Sequence, residues 1–155
     1  MDKTINLATI LQARGGNEIP PRALQEFQQP LLEQLMRVTA ERDDGLAPLL
    51  TPNDILVDTT AKTWSLTLRP TAWGTERESV AAYGELLLTI LQAQGTTHGN
   101  RLADIARQCR NHDAATLAEA HTLFERAINR RIYTVLLLVL AAALVALYLH
   151  YHGSL

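Results

Sequence analysis

Along the chain the spacing of apolar positions changes several times, and each change marks an element. Leu7 to Arg14 reads as a short helix, stopped by Gly15 and Gly16. Asn17 to Pro21 reads as a turn, with Pro21 suited to a first helical position. Leu24, Phe27, Leu31, Leu35 and Val38 then recur at three- and four-residue steps. That spacing predicts a helix of about five turns with one apolar stripe. Pro30 lies inside it and predicts a kink or an unpaired backbone carbonyl, and the run Glu41-Arg42-Asp43-Asp44-Gly45 ends it.

Ile55, Leu56 and Val57 form a short β-type run, and Asp58 to Lys62 reads as a turn. Trp64, Leu66 and Leu68 then alternate with Ser65 and Thr67, so the two runs predict a small hairpin. Pro70 to Glu78 reads as loop. Ser79 to Ala93 is apolar on nearly every side, which predicts a central, buried helix. Leu102 to Arg110 is a further helix, and Asp113 is placed to cap another from Ala114 to Asn129.

That helix runs into Ile132 to Leu149, IYTVLLLVLAAALVALYL, which carries no charge. At the α-helical rise it is about 27 Å long, close to the hydrocarbon thickness of a bilayer. Tyr133 at one end and Tyr148 and Tyr151 at the other suit the two interfaces. A soluble helix in so small a domain would show a polar face. Arg126, Arg130 and Arg131 precede the span, and only His150 to Leu155 follow it. The positive-inside asymmetry predicts a cytoplasmic domain at 1–131, a transmembrane helix at 132–150 and a short extracytoplasmic tail at 151–155. A span so near the end of the chain is expected to insert after translation. Ala142, Ala143 and Ala146 are small residues at a spacing that lets two such helices approach.

Composition narrows the chemistry. The chain has 155 residues and a formal net charge of -2, so no strong field draws it to nucleic acid. One cysteine, Cys109, excludes an internal disulfide and any multi-cysteine metal site. Of the five histidines, only His112 and His121 share a helical region, over two turns apart, and no cofactor is expected. No Gly-rich phosphate loop occurs, and neither Ser79 nor Cys109 has a sequence-evident base beside it. Cys109 and Trp64 read as core, whereas Trp73, in a loop, is a candidate for a binding surface.

The order of these elements resembles the C-terminal lobe of a bacterial eukaryotic-like Ser/Thr protein kinase over nearly all of residues 4–131. Ile5 to Leu11 and Arg14-Gly15-Gly16 resemble the segment after the kinase hinge, and Pro21 to Ala40 the long helix before the catalytic loop. Leu50-Thr51-Pro52-Asn53-Asp54-Ile55-Leu56-Val57-Asp58 is similar to the Leu-Lys-Pro-x-Asn-Ile-Leu run after the catalytic Asp. Ser79 to Leu88, with its glycine, resembles the central helix of that lobe, and Leu102 to Cys109 with His112-Asp113 the closing helices.

The resemblance implies a mainly α fold, a kinase-C-lobe-like helical domain with a small β-hairpin plus the membrane helix. It also implies lost chemistry. Phosphoryl transfer needs a base Asp, a metal-binding Asn, a second metal-binding Asp and a Lys on the phosphates. The base position falls on Leu49, the following lysine on Thr51, the metal-binding Asn on Asp54, the Asp of Asp-Phe-Gly on Thr67, and the aspartate opening the central helix on Ser79. Asp54 alone keeps a carboxylate, a weak metal candidate better suited to a turn or cap. The resemblance further implies that Gly74-Thr75-Glu76 is a vestige of an activation segment's end, and that a chain starting after the hinge is expected to lack the segments that form a nucleotide cleft. No nucleotide is expected to bind, and no catalysis.

The expectation is a pseudokinase-like scaffold in the inner membrane, its N-terminus cytoplasmic, binding a protein partner in a homo- or hetero-oligomer of an envelope or secretion assembly. Leu46, Leu49 and Leu50, together with Trp73, form the expected partner surface. The alternatives are a half-kinase completed in trans and a small membrane subunit that acts through its span.

Overall fold

The computed structural model describes residues 4–14, 21–58, 65–93, 95 and 101–153, with backbone only at 13, 14, 21–27, 65, 128 and 131. The stops and turns read at residues 15–20 and 59–62, and Trp64, lie outside the described residues. So do the side chains of Leu24, Phe27 and Arg131.

The chain opens with a strand, β1 (Thr4–Asn6), that three residues are too few to reveal by periodicity. Asn6 ends it and starts α1 (Leu7–Arg14), because its Oδ1 accepts the Ala8 N–H at 2.8 Å. The predicted hairpin is present as β3 (Ile55–Asp58) and β4 (Ser65–Leu68), antiparallel with Ile55 opposite Leu68 and Asp58 opposite Ser65. β1 adds to its other edge, so the sheet order is β1-β3-β4. Ile55, Val57 and Leu66 point to one face by strand alternation and meet Leu7 and Ile10 of α1 in the core.

Helix α2 (Pro21–Ala40) buries Leu31, Leu32 and Leu35, and passes through Pro30, which faces solvent. Its inward stripe is wider than predicted: Leu32 and Gln28 are fully covered, while Val38 is only half-buried. The stretch 70–78, predicted as loop, contains two elements. β5 (Trp73–Gly74) pairs with β2 (Ala47–Pro48), and α3 (Glu76–Ala93) starts three residues before Ser79. The early start is a capping box: the Thr75 hydroxyl accepts the Glu78 N–H at 3.2 Å and the Glu78 carboxylate accepts the Thr75 N–H at 2.8 Å.

The central burial predicted for α3 is present. Val80, Tyr83, Leu86, Leu87, Leu88, Ile90 and Leu91 are all covered, and Tyr83 meets Phe124 edge-on at 5.8 Å between ring centroids. Helix α4 (Arg101–Arg110) packs tightly on α3, because Gly84 offers no side chain where the backbone of Ala106 and Arg110 approaches. α4 ends in a turn with His112 at φ 66°, the Asp113 N–H bonding Gln108 O at 3.0 Å and the His112 N–H bonding Cys109 O at 3.2 Å.

The cap predicted at Asp113 is displaced for that reason. Asp113 is used in closing α4, and Thr116 caps α5 (Leu117–His152) instead, its hydroxyl accepting the Glu119 N–H at 3.2 Å. His112 therefore lies before α5 and does not share a helix with His121. Helix α5 is continuous over 36 residues. Its first turns belong to the core through Leu117, Ala120 and Phe124, with Ala127 partly covered. From Ile132 to Tyr151 every large apolar side chain is 54–79 % exposed. Among the described residues α5 is the one helix long and apolar enough to cross a membrane.

Candidate interaction face

Residues 42–54 and 69–79 meet around the short β2–β5 ladder, and this is where the resemblance placed its chemistry. The Leu49 N–H bonds Ala72 O at 2.9 Å, and the Arg69 N–H bonds Asp54 O at 2.7 Å, which tie the two segments together. Ser79, buried at the start of α3, donates its hydroxyl to Pro48 O at 2.6 Å and anchors the ladder to the central helix. A Cβ on Gly74 would lie 2.5 Å from Glu78 Oε2 and 3.1 Å from Leu49 Cδ1, so Leu49 packs where the glycine leaves room. The Thr75 bonds also hold the Glu78 carboxyl below its ordinary range.

Asp54 is only 2 % exposed, and three donors occupy its carboxylate. Oδ2 accepts the Thr51 N–H and the Thr51 hydroxyl, both at 2.8 Å, and Oδ1 accepts the Thr71 hydroxyl at 2.9 Å. The group closes the Thr51–Asp54 turn and holds Thr71, in the connection between β4 and β5, against it. Thr67, where a second metal ligand would stand, is exposed on β4 opposite Leu56. Among the described residues no group of three or more His, Cys, Asp or Glu is arranged to hold a metal ion.

The apolar patch expected from Leu46 to Leu50 is broken. Ala47 and Leu50 are core residues, 0 % and 3 % exposed, because β2 and the turn after it turn them inward against α2 and α3. Leu46, at 36 %, and the half-buried Leu49 remain accessible. Trp73, expected in a loop, is a half-buried strand residue.

Two residues that spacing did not single out complete the face. Arg42 stacks its guanidinium over the Trp73 ring, 4.0 Å from the centroid. It also forks onto Asp44, with Nε to Oδ1 at 3.0 Å and Nη2 to Oδ2. Asp44 Oδ1 accepts the Leu46 N–H at 3.1 Å as well. These contacts, the Arg42 hydrogen bond first, bring the Asp44 carboxyl down to about 2 and raise Arg42. The result is a pre-ordered cluster of the Trp73 ring, the Arg42 guanidinium and the Asp44 carboxylate, with the accessible Leu46 next along a turn that Gly45, at φ 71°, allows.

The other sequence candidates lie elsewhere. Cys109 is buried between α3 and α4, and burial pushes its thiol up to about 11, so it is unreactive packing. Ala142, Ala143 and Ala146 lie exposed on α5, and Arg126 and Arg130 are exposed on its preceding turns. No protein-family model, curated protein or solved structure matches this chain.

Proposed function

We propose that the chain is a catalytically inactive, membrane-tethered scaffold whose helical domain binds a protein partner through the Arg42–Trp73–Leu46–Leu49 face. The observation that carries this reading is α5, a single helix that is core at Phe124 and bare and apolar from Ile132 onward. An uncovered apolar surface of that length is stable in lipid, and the rest of the domain is then fixed to it. The arginines at 126, 130 and 131 favour the domain on the cytoplasmic side of the inner membrane.

The pseudokinase resemblance supports the absence of catalysis in this reading. Leu49, Thr51 and Thr67 supply no base, no phosphate-binding cation and no metal ligand, and the Asp54 carboxylate is taken by Thr51 and Thr71. In this reading the face looks away from the bilayer. Glu76 Oε1 accepts the Leu117 N–H at 2.9 Å, so the start of α3 and the β2–β5 ladder sit at the distal end of α5. From Leu117 to Ile132 the axial rise is about 22 Å. Such a face is available to a soluble subunit of an envelope or secretion assembly.

The test uses the full chain in detergent. Calorimetry with Mg-ATP should show no binding, and Leu46→Asp with Trp73→Ala should release the protein that co-purifies while the melting profile is kept. Micromolar Mg-ATP affinity, or unchanged co-purification, would overturn the reading. A reporter active only outside the cytoplasm, fused after Leu155, should be active.

A further inference from the structure

α5 also fixes how close the domain sits to the bilayer. Among the described side chains Ala127 is the last of α5 packed against the core, and Ile132 begins the exposed apolar run. Five residues of helix rise about 7.5 Å. The headgroup layer on one side of a bilayer is about 5–7 Å deep, so the lower edge of the domain meets the outer limit of that layer. Arg130 falls within this interval, about 3 Å above Ile132 along the axis, and Arg126 lies one residue beyond its upper limit, about 9 Å above Ile132.

Arg126 and Arg130 are one turn apart on one side of α5, and both are exposed. Neither has an acidic partner among the described residues, whereas Arg42, Arg107 and Arg110 pair with Asp44, Asp104 and Glu85. Glu125, the nearest acid on the same helix, lies instead 3.8 Å from His121. Two free guanidiniums, Arg130 at phosphate height and Arg126 one turn above it, match an anionic headgroup, because each presents a planar fork of donors to phosphate oxygens. Their aliphatic stems can lie along the helix while the heads reach the interface.

We propose that Arg126 and Arg130 form a binding site for the phosphates of anionic phospholipid headgroups, seating the domain on the membrane surface. The proposal rests on α5 being a membrane span. The protein partner then occupies the opposite end of the domain, and lipid occupies this one.

The full chain is reconstituted in phosphatidylcholine vesicles and washed with alkaline carbonate. Loss from the vesicles refutes the span, and with it the site. With the chain retained, spin-labelled phosphatidylglycerol and spin-labelled phosphatidylcholine are compared for immobilisation at the protein. The parent should prefer phosphatidylglycerol by at least about fivefold, the factor that a single arginine near an anionic surface contributes, since Arg130 lies nearest the phosphates and Arg126 adds to it. Arg126→Gln with Arg130→Gln should bring the preference close to parity. Arg37→Gln with Arg69→Gln, the same charge change away from α5, should leave it intact. A parent without preference, an unchanged Arg126/Arg130 variant, or equal losses in both double variants would each overturn the site while leaving the span standing.

Discussion

Replacing Gly84 by alanine tests the closest approach in the core. An added Cβ would stand 2.4 Å from Ala106 O, 2.7 Å from the Arg110 backbone N and 2.9 Å from Cys109 Cβ. Two of the three are backbone atoms of α4 and cannot rotate away, so α3 and α4 must separate. Overpacking of this kind costs about 1–3 kcal/mol, and the rigid obstacle puts it at the upper end. Alanine recovers about 1 kcal/mol of helix propensity relative to glycine. The net expectation is a loss of about 2 kcal/mol, which for a domain of this size lowers the melting temperature by roughly 6–8 °C. The assay is a thermal melt of the full chain in detergent by near-UV circular dichroism, since far-UV signal from the micelle-protected half of α5 would mask the transition. A Gly84→Ala protein that melts at or above the parent temperature would show that α3 and α4 are not in backbone contact here.

Asp54→Ala removes the acceptor for three donors and should destabilise the domain by about 2–4 kcal/mol, read by urea unfolding; a neutral result would mean the turn at 51–54 closes without it. The Asp44 carboxyl, lowered to about 2 in the folded state, stabilises the Arg42 turn at pH above its ordinary value of 3.8 and loses that contribution as the pH falls through 2. An NMR titration of the Asp44 carboxyl with a midpoint near 4 would contradict the Arg42 fork. Gln28 is buried with Oε1 unpartnered, beside a cavity of about 10 Å³ lined by Leu32, His121 and Phe124. Gln28→Leu should therefore be neutral or raise the melting temperature, whereas a loss above about 1 kcal/mol would reveal a bound water satisfying that oxygen.

Much of the helical scaffold was legible because its signal is periodic. Leu31 and Leu35 on α2, the apolar α3 and the uncharged run from Ile132 each carry many residues that agree. The hairpin was legible from alternation at Trp64 to Leu68 and the β-branched content of Ile55 to Val57. What was missed is short or non-local. β1, β2 and β5 have two or three residues each, too few for any period. The starts of α3 and α5 did have a signal, since Thr75-Glu76-Arg77-Glu78 and Thr116-Leu117-Ala118-Glu119 both fit the Thr-x-x-Glu capping box. On the candidate face, Trp73 was visible as an unassigned aromatic. Its partner Arg42 lies 31 positions earlier, in a turn whose charges look like ordinary solvated residues. Leu50 carries no sequence signal for its inward direction, because residues 49–51 are too few for a period; the turn after β2 directs it into the core.

With α5 as the proposed membrane span, its unbroken helix makes the bilayer a mechanical input to the domain. Membrane helices tilt by about 20° on average, and the tilt follows the mismatch between span length and local bilayer thickness. With no hinge between Leu117 and His152, any tilt of the span swings the domain as a lever arm of about 22 Å, displacing the Glu76–Leu117 junction sideways by roughly 8 Å. The Arg42–Trp73 surface moves with that junction. Bilayers of different thickness would therefore present it at different positions, so under the proposed function lipid composition alone would decide whether a partner held at a fixed place is within reach.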